Sequence, residues 1–120
     1  MTTANLVEVQ KRLAQEDLQP HIVSFSVDPI HDTPEVLKEY AEEHGVDLDT
    51  WDFLTGYDFQ TIQNISENTF KSALREGGAN QRSHGFHFYV INPNGKIIKK
   101  YDGTSSKEIE LLIDDLITLL

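Results

Sequence analysis

Five side chains whose chemistry suits metal binding lie next to predicted strands. His84 and His87 stand at the front of the apolar run FHFYVI, and Asp28, His31 and Asp32 lie in DPIHDTP, directly after HIVSFSV. Imidazole suits copper, zinc and iron, whereas carboxylates suit hard ions such as Mg²⁺ and Ca²⁺. The sequence therefore offers His84 as a transition-metal ligand, and Asp28, His31 and Asp32 together as a hard-ion site.

The same side chains also have plain structural interpretations. Asp32 or Thr33 can cap a helix that begins at Pro34, and Asp28 can start a turn at the following proline. His87 alternates with apolar strand residues on the opposite face, which predicts that it faces a helix or solvent rather than a metal. These structural roles are the simpler interpretation of the DPIHDTP segment.

Composition excludes several kinds of chemistry. The chain has no cysteine, so it cannot supply a disulfide, a thiolate metal site or a thiol nucleophile. One imidazole does not hold copper tightly by itself, and therefore His84 would need partners. The sequence shows no nucleophile elbow of a serine hydrolase and no phosphate-binding glycine loop. We do not expect an enzyme.

Charge and hydropathy limit the partners. Ten Lys and Arg stand against 20 Asp and Glu, giving a formal net charge of -10. This charge disfavours nucleic acids and anionic membranes, and it is compatible with a cationic protein or a metal ion. No apolar run is long enough to span a membrane and the start MTTANLVEVQ lacks a signal-peptide core, so a cytoplasmic location is expected if Met1 is the true start.

Hydrophobic periodicity predicts an α/β chain. The predicted order is helix (residues 4–16), strand (21–27), helix (from Pro34), strand (51–56), helix (after Asp58), two strands joined by NPNG, and a last helix opened by SSKE. The polar segment between the third helix and the third strand is predicted to be a loop. Alternation followed by a hairpin and a helix is typical of an α/β sandwich with a mixed sheet, and the thioredoxin fold ends this way.

Three motifs resemble one family at matching spacing. VSFSVDPIHDTPEVLKEYAEEHG, then WDFLTG, then a histidine ahead of FHFYVINPNGKIIKKYDG look like the Sco/SenC family of thioredoxin-like copper proteins. The resemblance covers nearly the whole chain. The DPxxDTP segment followed by WxFLTG is its most specific part.

The resemblance implies a function and a site. Family members are membrane-anchored on the extracytoplasmic side, bind copper and help to assemble the copper site of cytochrome c oxidase. Their metal site consists of two cysteines in a CxxxC loop and one distal histidine. His84 matches that histidine, and Asp28 and Asp32 match acidic residues near the site. Copper is therefore the implied metal and an oxidase subunit the implied partner.

The chain departs from the family pattern at its beginning. Residues 1–6 resemble those that follow the second cysteine, so the CxxxC loop and the strand before it, normally central in the sheet, are absent. We expect residues 1–120 to form a single incomplete thioredoxin-like domain. Unpaired buried backbone groups cost about 1–3 kcal/mol each. The gap is therefore predicted to be closed, by collapse of neighbouring strands or by a second copy in a homo-oligomer.

Three functions remain as hypotheses. The favoured one is a Sco/SenC-type copper chaperone domain for cytochrome c oxidase, inactive or much weakened in copper binding as a cysteine-free chain. The alternative is a cysteine-free relative that acts as a protein-interaction or regulatory module without metal chemistry. The third is an enzyme or a non-copper metal protein that uses the acids and histidines.

Overall fold

The structure, a computed structural model, describes residues 2–71 and 87–120. In these ranges four helices and four strands follow one another as α1 (Thr2–Gln15), β1 (Ile22–Phe25), α2 (Pro34–His44), β2 (Trp51–Leu54), α3 (Phe59–Asn68), β3 (His87–Ile91), β4 (Ile97–Asp102) and α4 (Ser106–Leu119). The order matches the sequence prediction. None of the described helices is long and apolar enough to cross a membrane.

The described residues fall into two compact units. Those up to Gln19 and from His87 onward form one, and those from Pro20 to Lys71 form the other. We call them the hairpin unit and the acidic unit, because the first contains the β3–β4 hairpin and the second holds most of the excess negative charge. That residues 1–120 make a single domain stays a prediction.

The hairpin unit is built around two amphipathic helices. α1 and α4 pack against each other and α4 packs on β4. Their buried side chains form one cluster with Tyr101 of β4: Val9, Leu13, Ile109, Leu112 and Ile113. The Tyr101 hydroxyl donates a 2.7 Å hydrogen bond to Asp115 Oδ2, which satisfies the one polar atom of a ring that is only 2% exposed.

The NPNG turn forms the hairpin that the sequence predicts. β3 and β4 are antiparallel, with Phe88 opposite Tyr101. The Asn92 side chain accepts hydrogen bonds from the backbone N–H groups of Asn94 and Lys96, and Gly95 has φ of 85°. An L-residue other than glycine is strained at such a positive φ, so the turn depends on Gly95.

The acidic unit holds a parallel strand pair and two capped helices. Ile22 pairs with Trp51 and Phe25 with Leu54. Thr33 is the N-cap of α2, with its Oγ1 accepting from the Val36 N–H. Asp58 likewise caps α3 by accepting from the Thr61 N–H at 2.8 Å. Both caps satisfy backbone donors that a first helical turn leaves open.

The strands differ from the predicted single mixed sheet in one respect. The four described strands form two two-stranded sheets, β1–β2 and β3–β4. Closure of the gap by direct collapse of neighbouring strands is therefore wrong for the described strands. Among the described strands β1 pairs on one edge with β2, and β3 pairs on one edge with β4, so no described strand pairs with the second edge of either.

Candidate functional site

The loop from β1 to α2 carries both acidic residues that were predicted to lie near a metal site. It begins at Ser26, which is buried, and its hydroxyl donates to Asp32 Oδ2 at 2.7 Å. The same hydroxyl accepts from the backbone N–H of Asp28 at 3.0 Å. One serine therefore ties the first part of the loop to its last acidic residue.

Asp28 holds the turn and binds a histidine. Its carbonyl oxygen accepts from the N–H groups of His31 and Asp32, at 3.2 and 2.9 Å. Both of its carboxylate oxygens lie 2.9 Å from His31 Nδ1. Hydrogen bonding to this carboxylate, and then its charge, raise the pKa of His31 above the ordinary value of 6.5. The imidazole is 80% exposed, so the pair is a surface interaction.

The end of β2 fastens the loop from the other side. Thr55 Oγ1 donates to the Asp32 carbonyl oxygen at 2.6 Å. The Tyr57 hydroxyl lies 2.8 Å from the carbonyl oxygens of both Ser26 and Leu54, and having one proton it donates to one of them at a time. Burial raises the pKa of Tyr57 to about 12, so the phenol keeps its proton at neutral pH.

The loop thus lies where the carboxyl ends of two parallel strands meet. That edge is the usual place for a ligand in an open α/β sheet. The arrangement fixes the backbone of residues 26–33 through side chains of the loop itself and of the segment after β2. It can orient a neighbouring group, and both carboxylate oxygens of Asp28 and one of Asp32 are already engaged.

The predicted hard-ion site does not form. The described residues contain no group of three His, Cys, Asp or Glu side chains arranged to hold a metal ion. Asp32 Oδ2 accepts from Ser26, and the Asp28 carboxylate is bound to His31. The structural interpretation of DPIHDTP is supported instead, with Thr33 rather than Asp32 as the helix cap.

Of the two candidate histidines next to the third predicted strand, the structure describes only His87. His84, the family-matched ligand, lies outside the described residues. His87 is half-buried in β3 opposite Asp102, and its buried Nδ1 atom has no hydrogen-bond partner among the described residues.

The described residues do not provide a complete set of ligands for copper. The whole sequence has no cysteine, and the described residues contain no cluster of nitrogen, oxygen or sulfur ligands for a metal. Copper(I) sites of this kind depend on soft thiolates. The residues that the structure describes therefore do not fit a copper centre by themselves.

Sequence reasoning missed three residues of this loop region: Ser26, Thr55 and Tyr57. Ser26 and Thr55 fall within the predicted strands 21–27 and 51–56, and the sequence assigned no role to Tyr57. The Ser26 contacts depend on how the loop folds back on itself, and those of Thr55 and Tyr57 depend on β2 lying beside β1. No local signal shows either.

Comparison with known proteins identifies the family. A family model for SCO1/SenC matches residues 1–120. The chain belongs to the SCO1/SenC family. It is 37% identical over 114 residues to the SCO1 protein homolog of Bacillus subtilis (strain 168), an alignment that covers 94% of this chain and 59% of that protein. It is 33% identical over 102 residues to a SCO2-like protein of Rickettsia bellii, covering 78% and 48%.

Solved structures of SCO1/SenC proteins confirm the fold class. A SCO1/SenC family lipoprotein from Bacillus anthracis superposes with a TM-score of 0.88 at 39% identity, over 98% of this chain and 70% of that one. BsSco, a member of the Sco family of cytochrome c oxidase assembly proteins in which a disulfide switch has been identified, gives 0.88 at 35%, over 98% and 68%. The thioredoxin-like α/β prediction is thus confirmed.

The chain spans only about half to three fifths of the length of the curated relatives it matches. The disulfide switch of BsSco requires cysteines, and this chain has none. Membership of the SCO1/SenC family therefore identifies the scaffold of this chain.

Proposed function

We propose that this chain is a SCO1/SenC-type copper chaperone domain that takes part in assembling the copper site of cytochrome c oxidase, with copper binding much weakened in the cysteine-free chain. The observation that carries the proposal is the family match over residues 1–120. The likeness to BsSco, a cytochrome c oxidase assembly protein, supports the partner. In this role copper is cargo, and the chain catalyses no reaction.

His84 is the proposed remaining ligand, with Asp28 and Asp32 as residues that position the neighbouring loop. Asp32 is held by Ser26 and by Thr55, and Asp28 sets the turn. A single imidazole binds Cu(I) weakly, because thiolates supply most of the affinity and selectivity. The proposed contribution of this chain is therefore a positioned histidine and a scaffold.

The proposed cellular location of this chain is inferred from that of a relative. The Bacillus anthracis relative is a lipoprotein, a protein carried on a membrane by its lipid. We place this chain on the extracytoplasmic side of a membrane on that basis. Fractionation of the source cell with an antibody to the chain tests the assignment, and recovery in the cytoplasm alone would contradict it.

The second candidate is a protein-interaction or regulatory module without metal chemistry. The lack of any cysteine in these 120 residues favours it, because thiolates are the strongest donors for copper in sites of this kind. In this case the chain binds an oxidase subunit or another partner whether or not copper is present.

One titration separates the two functions. The chain is titrated calorimetrically into the soluble copper-binding domain of an oxidase subunit, with and without one equivalent of Cu(I). A chaperone predicts binding that strengthens with Cu(I) and loses this gain in His84→Ala but not in the control His44→Ala. Equal binding with and without Cu(I) supports the interaction module. Absence of binding at concentrations near 1 mM would contradict the oxidase as partner in either role.

A further inference from the structure

The outer edge of β2 has main-chain groups that are free to pair. The N–H groups of Ile22 and Ser26 donate to the carbonyl oxygens of Thr50 and Leu54, so the even-numbered residues of β2 face β1. Because successive residues of a strand direct their main-chain groups to opposite sides, those of Trp51 and Phe53 point away from β1. Within residues 2–71 and 87–120, no strand pairs with that side.

A groove runs along the same edge. Its volume is about 440 Å³, and its walls come from α2, the loop after it and β2, not from β1: Pro34, Leu37, Lys38, Leu48, Trp51, Asp52, Phe53, Leu54 and Thr55. Leu48 is 44% exposed at its rim, whereas Trp51 is 1% exposed and forms its floor. An apolar side chain entering from the edge would cover Leu37, Leu48 and Trp51.

The unit that contains the groove is acidic, although the groove lining itself holds one cation and one anion, Lys38 and Asp52. Residues 20–71 contain 11 Asp and Glu against only two Lys, Lys38 and Lys71, so nearly all of the net charge of -10 lies in this stretch. Such a surface attracts a cationic partner and repels another copy of itself. β2 carries one charged side chain, Asp52, and no lysine, so the strand lacks the lysines with which proteins often prevent unwanted edge pairing.

We propose that the outer edge of β2 is a docking site for an extended, basic segment of a partner protein, which adds as a third strand beside Trp51 and Phe53. Main-chain hydrogen bonds to these two residues supply the register, and one apolar side chain of the partner enters the groove against Leu48 and Trp51. Lysine or arginine side chains on the partner face the surrounding carboxylates. This site requires neither copper nor His84 and stands independently of the copper proposal.

The probe is a short, end-blocked peptide in which lysine alternates with threonine around one central leucine. Amide hydrogen exchange of the full 120-residue chain is followed by NMR with increasing peptide. We expect exchange at Trp51 and Phe53 to slow by about tenfold or more, because strand addition engages these amides. Exchange at Val23 and Phe25, on the other edge of the sheet, should not change.

Two control peptides identify the cause of binding. The same peptide with alternate backbone nitrogens methylated keeps its charge but cannot form one row of hydrogen bonds, and we expect it to lose the protection. A peptide with glutamate in place of lysine should not bind. Equal binding of the methylated peptide would mean electrostatic attraction alone and would overturn the proposal, as would unchanged exchange at Trp51 and Phe53.

A matched pair of variants locates the groove. Leu48→Ser replaces an apolar side chain at its rim by a neutral polar one, whereas Val36→Ser makes the same kind of change at a comparably exposed site, 47%, that does not line it. Only Leu48→Ser should weaken peptide binding by about tenfold or more. Equal effects of the two would contradict the groove. Protection of Trp51 and Phe53 that grows with protein concentration without peptide would assign the edge to a second copy.

Discussion

Asp28 stabilises the turn between β1 and α2, and it also raises the pKa of His31. Its carboxylate accepts from His31 Nδ1 and raises the pKa of that imidazole. A raised folded-state pKa means that the pair stabilises the protein fully below pH 6.5 and that this contribution is lost as pH rises through the folded-state pKa. Because the imidazole is exposed, the pair contributes little to the free energy of unfolding, and the pKa of His31 is the more sensitive measure of the interaction.

Asp28→Ala should lower the pKa of His31 toward 6.5, since it removes both the hydrogen bond and the charge. An NMR pH titration of the imidazole resonances measures it. Glu35→Ala, which removes an exposed carboxylate from the first turn of α2, should leave the His31 titration nearly unchanged. An unaltered His31 pKa in Asp28→Ala would contradict the pairing.

The local roles in this loop could be predicted from the sequence, but the contacts across it could not. A proline after Asp28 and another after Thr33 indicate a turn and a helix start without knowledge of the rest of the chain. The bond from Thr55 to the Asp32 backbone requires β2 to lie beside β1, and the bond from Ser26 to Asp32 requires the loop between them to fold back on itself. His84 lies outside the described residues, and its role as a ligand stays a proposal.

The end of α2 depends on a glycine with a left-handed backbone. Gly45 has φ of 72°, and its N–H lies near the carbonyl oxygens of Ala41 and Glu42, which ends the helix. A Cβ added there would meet nothing within 4 Å, so any cost of a substitution comes from the backbone alone.

Gly45→Ala should therefore lower the free energy of unfolding by about 1–2 kcal/mol. Gly45→Asn should cost less, because asparagine tolerates the left-handed region. Urea denaturation of the three proteins gives the comparison. Equal stability of wild type and Gly45→Ala would show that the helix does not end in this conformation.

The helices and strands were largely predictable because their signals are local. Alternation marked the strands, NPNG marked the hairpin, and Thr33 and Ser105 marked helix starts. The SSKE capping box is only half formed: Ser105 Oγ accepts from the Glu108 N–H, but the Glu108 carboxylate accepts from the Asp102 N–H instead of that of Ser105. The position of β4 decides this, and no pattern within SSKE reports it.

Pairing of the strands into sheets is where sequence reasoning was weakest. The order of elements predicted one mixed sheet, and the described strands form a parallel pair and an antiparallel pair. Hydrophobic patterns show that a strand forms, but they do not show which edges meet.

The open edges lead to a prediction for the whole chain. We expect copies to associate through the edge of β1 or β3 with which no described strand pairs, because unpaired strand edges favour pairing with another chain. The net charge of -10 opposes association, so it should increase with ionic strength. Size-exclusion chromatography with light scattering at low and high salt measures it. A monomer at both salt concentrations that unfolds cooperatively would contradict the homo-oligomer.

The copper proposal is tested most directly by a Cu(I) competition titration of the 120-residue chain against a chromophoric chelator. We expect no withdrawal of Cu(I) at equal concentrations, and weak binding at excess protein that His84→Ala abolishes and His44→Ala preserves. The reason is that one imidazole remains where the family has two thiolates and a histidine. Stoichiometric withdrawal of Cu(I) by the cysteine-free chain, or weak binding unchanged in His84→Ala, would contradict this account.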